Sequence, residues 1–131
     1  MSATLPQAAK SLVDRPVLAV LTTLYPDGSP HSTPLWIDRD GDVLRVNTAQ
    51  GRVKARNAAR DPRVSICMVD PEDPQHVLAV RGTVVAITTD GADEHIDGLA
   101  YKYTGQRTFG ARTPGQVRLL LRIRCDEVLM G

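Results

Sequence analysis

Two tight-turn signals lying close together, Tyr25-Pro26-Asp27-Gly28 and Asp40-Gly41-Asp42, constrain this chain more than any other feature. Proline presets φ at a corner and glycine supplies the positive φ that most residues resist, so each segment reverses the chain within a few residues. The runs around them, Val17 to Leu24, His31 to Asp38 and Val43 to Thr48, are rich in aliphatic and β-branched residues. They read as three strands joined by hairpins. Hairpins impose antiparallel pairing, because a parallel neighbour needs a long crossover. A doubly wound parallel sheet is thereby excluded, and an antiparallel sheet or barrel is expected.

Further along, Val64 to Val69 is a strand bounded by Asp61-Pro62 and by a loop holding Pro71 and Pro74. His76 to Thr88 reads as one long strand, and Gly82 within it marks a bulge or bend of the kind that curves a sheet. In the last strand Val117, Leu119, Leu121, Ile123 and Cys125 alternate with Arg118, Leu120, Arg122 and Arg124, a period of two with one buried face. Three helices complete the reading. Leu5, Ala8, Ala9, Leu12 and Val13 recur at helical spacing until Pro16 prevents continuation. A second helix covers Arg52 to Arg60 with Ala55, Ala58 and Ala59 as its apolar face. A third carries Ile96, Leu99, Ala100 and Tyr103, with Thr89 or Asp90 as cap and Gly105 as its stop. The expected fold is mainly β, a six-stranded antiparallel barrel with a closed sheet, in one domain spanning residues 1–131.

With 131 residues and 42% hydrophobic content, the chain is large enough for one core without staples. A net charge of +1 gives no global field toward nucleic acid or a membrane surface, so neither is an expected partner. No run reaches the roughly 20 apolar residues that span a bilayer, and the expected location is cytoplasmic. Cys67 and Cys125 sit in separate apolar runs and are expected to be buried, inert thiols. His31, His76 and His95 lack metal-ligand spacing, and no metal site is expected. Neither GxGxxG nor GxxxxGK[ST] occurs, so a phosphate site must be of another kind.

One segment points to such a site. In Thr48-Ala-Gln-Gly-Arg-Val-Lys-Ala-Arg-Asn57 a strand ends and a helix begins with Arg52 and Lys54 in its first turn. A helix N-terminus already carries partial positive charge, so cations there are unfavourable unless an anion joins them. Either Arg52 and Lys54 are solvated surface residues, or they hold a phosphate at the helix start. Arg56 and Arg60 continue the stripe every four residues, although Arg60 beside Asp61 also reads as a weak surface ion pair.

Leu-Thr-Thr-Leu-x-Pro-Asp-Gly-Ser-Pro-His-Ser-Thr-Pro-Leu-Trp (21 to 36), Gly-Arg-x-Lys-x-Arg-Asn (51 to 57) and Arg-Asp-Pro-Arg-Val-Ser (60 to 65), in this order, resemble a known family. It is the split β-barrel flavin and deazaflavin oxidoreductases related to pyridoxamine 5′-phosphate oxidase, in the actinobacterial branch that uses coenzyme F420. The resemblance runs from the first strand through Lys102-Tyr103-Thr104-Gly105 to the last. It implies a homodimer with two cofactor sites at the interface, each built from both chains. Thr33, Pro34, Leu35 and Trp36 would border the deazaflavin ring. Asn47, Thr48, Arg52 and Lys54 would hold the ribityl and phosphate portion, and Arg56 fits the same motif. As the sole tryptophan, Trp36 suits either core or cofactor wall. Lys102 and Tyr101 would reach the partner chain's pocket.

Three functions suit these residues. The first is an F420-dependent oxidoreductase that transfers a hydride between the deazaflavin C5 and a small organic substrate, with Tyr101, Tyr103 or solvent delivering the proton. The second is an FMN-dependent enzyme like pyridoxamine 5′-phosphate oxidase, with oxygen as acceptor. Against it, the chain is short and has no second basic cluster near the C-terminus that plainly suits a phosphorylated pyridoxal substrate, although Arg118, Arg122 and Arg124 keep that option open. The third is a non-catalytic F420 carrier.

Overall fold

The computed structural model describes residues 2–131. The elements follow in the order α1 (Gln7–Asp14), β1 (Ala19–Leu24), β2 (Pro30–Leu35), β3 (Ile37–Asp40), β4 (Val43–Ala49), α2 (Val53–Arg60), β5 (Arg63–Asp70), β6 (Asp73–Thr88), α3 (Ala92–Thr104) and β7 (Arg118–Met130). All strand pairs are antiparallel, and the sheet order is β2-β1-β5-β6-β7-β4-β3.

The strands number seven because the expected return strand from His31 to Asp38 divides at Trp36. Its first half pairs with β1 and its second with β4, at opposite ends of the sheet order. Helix α3 takes over the backbone at this break. The Ile37 N–H donates to the Tyr103 hydroxyl at 3.2 Å, and the Ile37 carbonyl accepts from Lys102 Nζ at 2.5 Å. The sheet is therefore curled but not closed by hydrogen bonds between β2 and β3, which is the split of a split barrel.

Local chemistry explains most boundaries. Arg15 is extended, φ −85 and ψ 157, as the position before Pro16 requires. Helix α3 starts from Gly91 in the left-handed region rather than from a Thr89 or Asp90 side-chain cap, and it stops at Gly105 as expected. The face of α2 buries Ala55, Asn57 and Ala58 instead of Ala59. Asn57 is tolerated there because Nδ2 donates to Thr23 Oγ1 at 3.1 Å. The β5–β6 connection is shorter than expected, and Pro74 lies at the start of β6, where the register shifts.

One fully buried cluster, including Leu12, Leu21, Ile37, Leu44, Ile66, Leu78, Leu121 and Ile123, fills the concave side of the sheet. The convex side carries a second apolar feature. Pro34, Val20, Cys67, Ala79 and Leu129 are register partners in one row across five strands. Cys67 is exposed, against the expectation of a buried thiol, because the odd residues of β5 point outward. Cys125 lies on the core side, where burial pushes its thiol up to about 11.

Gly82 sits where the β6–β7 register shifts, and a Cβ there would meet the Arg124 carbonyl oxygen and Ile123 Cγ2, each at 2.7 Å. Backbone cannot yield as a side-chain tip does. Gly82→Ala is expected to destabilise the fold by roughly 1–3 kcal/mol, the usual cost of overpacking, read from the midpoint of urea unfolding.

Candidate functional site

The site forms where β2 gives way to β3 and β4 gives way to α2. Pro34, Leu35 and Trp36 line a cavity of about 290 Å³ together with Asn47 of β4, Leu99 of α3 and Phe109 from the loop that follows α3. Trp36 stacks on Tyr103, with ring centroids 5.4 Å apart and planes 14° apart, and meets Phe109 edge-on at 5.9 Å. Its indole thus belongs to both readings at once, packed against α3 on one side and walling the cavity on another. Thr33 does not line this cavity. Side chains alternate along a strand, so Thr33 and Leu35 share the core side with their register partners Leu21 and Ala19, while Pro34 shares the convex side with Val20; Thr33 lies two residues further from the break at Trp36 than Leu35 does. The Thr33 Oγ1 is nonetheless buried without a hydrogen-bond partner, as is His31 Nδ1 two residues before it.

Charge gathers beside the cavity. Helix α2 begins at Arg52 with no side-chain cap and no acidic residue in its first turn. Burial, then the charges of Arg52 and Arg118, hold the half-buried Lys54 ammonium below the ordinary lysine value. Arg118 at the start of β7 is likewise held below its ordinary value by burial, with Arg52 and Arg112 adding to the shift. Its guanidinium stacks over the Phe109 ring at 5.2 Å, and its Nε donates to Asn47 Oδ1 at 2.9 Å. Among the described residues Arg52, Lys54, Arg56 and Arg118 form no ion pair, whereas Arg39, Arg45, Arg63, Arg81, Arg112, Arg122 and Arg124 all do. Mutually repelling cations around an uncapped helix start are the arrangement an anion relieves. The donor set therefore fits an anionic group, and the adjoining cavity fits an apolar, planar one.

Asn47 and Thr48 are both buried at the end of β4, with Asn47 joining the cavity to the cations. Arg60 is drawn away from the cluster, donating to the Leu24 carbonyl and to Asn57 Oδ1. Asp61 pairs with Arg63 instead, which holds its carboxyl down to about 2. Lys102 is tied within its own chain, its Nζ donating to the carbonyls of Val13 and Ile37 at 2.5 Å each, so it does not extend toward a partner. The sequence reading missed Phe109 altogether and valued Arg118 only for a different substrate. Neither carries a local signal, since Phe109 reaches the site from the loop after α3 and Arg118 from the start of β7. A larger groove of about 520 Å³ runs along Thr22, Ser65, Arg81 and Glu127 on the convex face. Its cations are ion-paired, and it lacks the free charge of the first site.

The family model for pyridoxamine 5′-phosphate oxidase matches residues 5–129. Among solved structures, an F420 reductase is 30% identical, with a TM-score of 0.85 over 95% of this chain and 98% of that one. A conserved hypothetical protein, Rv2991 from Mycobacterium tuberculosis, superposes with a TM-score of 0.74 at 21% identity, over 98% of this chain and 85% of that one. A putative pyridoxamine 5′-phosphate oxidase from Listeria innocua does so with a TM-score of 0.69 at 16% identity, covering 92% of each chain. No curated protein sequence matches. A match of this extent, with the split sheet agreeing, places the chain in the pyridoxamine 5′-phosphate oxidase family, in the split β-barrel form that it shares with the F420 reductase.

Proposed function

We propose that this protein is an F420-dependent oxidoreductase acting on a small organic substrate, with its site completed across a homodimer interface. The observation that carries this reading is the set Arg52, Lys54 and Arg118, free of carboxylate partners, beside a cavity walled by Pro34, Leu35 and Trp36. Its likeness to the F420 reductase supports it. When bound, the deazaflavin would supply hydride chemistry at its C5 toward an electron-poor double bond or carbonyl. Arg52, Lys54 and Arg118, with Asn47 and Thr48, would hold its phosphate and ribityl portion. Arg56, exposed on α2, would meet the anionic tail. Charge-assisted contacts of this kind are about twice as strong as neutral hydrogen bonds. Trp36 and Phe109 would shield the ring from water. Tyr103 is not free to deliver a proton, because its hydroxyl donates to the Val17 carbonyl at 2.6 Å and burial raises its pKa. Tyr101, 63% exposed, and solvent remain as proton sources.

Side-by-side titration with F420 and FMN, read from Trp36 fluorescence, tests the cofactor. F420 is expected to bind more tightly, since it carries charges beyond the phosphate that FMN also has. Added salt should narrow the gap, because exposed contacts are screened. Equal or tighter binding of FMN at low salt overturns the deazaflavin assignment. Binding of F420 without turnover against any acceptor would leave a carrier.

The dimer is proposed to form through the convex row of Val20, Cys67, Ala79 and Leu129, of which Leu129 is 59% exposed. A contiguous apolar face of this kind marks an interaction surface, and isologous pairing covers it on both copies. Light scattering should give twice the chain mass at micromolar concentration, and Val20→Asp should give the single mass. Thiol labelling offers an independent check, since buried Cys125 stays silent. Cys67 should react slowly in the parent protein and quickly in the Val20→Asp variant. A monomeric parent would remove the shared site.

A further inference from the structure

Asn47 links the cation cluster to the body of the protein, and its amide has no freedom to turn over. Nδ2 donates to the Ala92 carbonyl at 2.9 Å and faces His95 Nδ1 at 3.1 Å, while Oδ1 accepts from Arg118 Nε at 2.9 Å. An amide nitrogen donates only, so His95 Nδ1 must be the accepting, unprotonated nitrogen of the ring. The ring proton then sits on Nε2, which donates to Asp38 Oδ1 at 3.0 Å. The same carboxylate takes both arms of Arg45, at 2.9 and 2.8 Å. Burial opposes charge on Asp38, but the hydrogen bonds from His95 and Arg45 outweigh it and keep the carboxyl below its ordinary value. A single run of hydrogen bonds therefore passes from Arg45 through Asp38, His95 and Asn47 to Arg118, joining β3, β4, α3 and β7.

We propose that His95, whose side chain is only 2% exposed, is a positioning residue of the anion site: its Nε2–H tautomer, set by Asp38, fixes the Asn47 amide so that Oδ1 holds the Arg118 guanidinium beside Arg52 and Lys54. The inference rests on the anion-site reading above, but not on which cofactor supplies the anion. With the amide reversed, Nδ2 would confront the Arg118 N–H and Oδ1 would confront the Ala92 carbonyl, donor against donor and acceptor against acceptor. Leaving such groups unpaired in a buried place is costly. The tether matters because repulsion from Arg52 works to drive Arg118 away. His95 touches neither the cavity nor the cations itself, and acts only through Asn47.

Two substitutions separate the two ring nitrogens. His95→Asn retains an acceptor near the Nδ1 position and loses the donor to Asp38. His95→Gln retains a donor near the Nε2 position and leaves Asn47 Nδ2 without its second acceptor. Affinity for F420, and for FMN as a second probe, should fall about tenfold in His95→Gln and stay within about threefold of the parent in His95→Asn. Equal affinities in the two variants would overturn the proposal. Nitrogen NMR of the cofactor-free parent gives a readout that a merely structural histidine would not move. It should show His95 as the Nε2–H tautomer and a slowly exchanging Arg118 Nε–H that is lost in His95→Gln. An Nδ1–H tautomer refutes the proposal even if neither variant folds. Should the parent bind neither F420 nor FMN, the anion-site reading fails, while the tautomer and the Arg118 resonance still decide the role of His95.

Discussion

Lys54→Ala is expected to weaken cofactor binding about ten- to a hundredfold while leaving the cofactor-free protein as stable as the parent or slightly more so. The first effect follows from losing a hydrogen bond to a charged group, worth roughly 1.5–3 kcal/mol. The second follows from the surroundings of the ammonium. Lys54 is half-buried beside Arg52 and Arg118 in the first turn of α2, where the helix dipole, desolvation and both neighbours all disfavour its charge. Removing it relieves each of these. Fluorescence titration and thermal melting of the same variant therefore move in opposite senses. A sharp fall in the melting temperature with unchanged affinity would make Lys54 structural and place the anion elsewhere.

Leu121→Ala is expected to cost about 2–5 kcal/mol of stability, the range for truncating a large buried aliphatic side chain. Leu121 is fully buried in β7, opposite Val46 of β4 on one side and Ile87 of β6 on the other. The cavity lies at the one strand that joins the two halves of the sheet, so neighbouring strands cannot close over it independently. Chemical denaturation should show a lower midpoint with an unchanged slope. A loss under about 1 kcal/mol would mean that the sheet repacks around the gap.

The antiparallel barrel was legible because its signals are local. Tyr25-Pro26-Asp27-Gly28 and Asp40-Gly41-Asp42 announce hairpins by their own stereochemistry, and Gly82 announces the bend in β6. The break at Trp36 was not legible, since Leu35 to Ile37 is an unbroken apolar run and the proline before it suits an edge strand as well as a break. The chain divides there only because Tyr103 and Lys102, far along the sequence, take the backbone groups of Ile37. The same distinction applies to the site. Arg52 and Lys54 stand out as cations at a helix start, and Pro34 to Trp36 stand out by resemblance. Phe109, Arg118 and His95 become meaningful only through tertiary contacts with Trp36 and Asn47. Cys67 was misjudged because an apolar run says that a strand is buried somewhere, not which of its faces is.

The place of β7 between β6 and β4 also sets the order in which this protein can assemble. On one flank are β2, β1, β5 and β6, which carry Pro34 and Leu35; on the other are β4 and β3, which carry Asn47 and Thr48. No ladder joins the two flanks until β7 docks against both. Its partner residues in β4 precede it by more than half the chain, as in the pairing of Val43 with Arg124. Such distant pairings impose a loop-closure entropy before any contact repays it, and chains dominated by them fold in about milliseconds to seconds rather than microseconds. Until β7 docks, no strand pairing fixes the flank that carries Pro34 and Leu35 against the one that carries Asn47 and Thr48, so the candidate site takes its final shape with that strand.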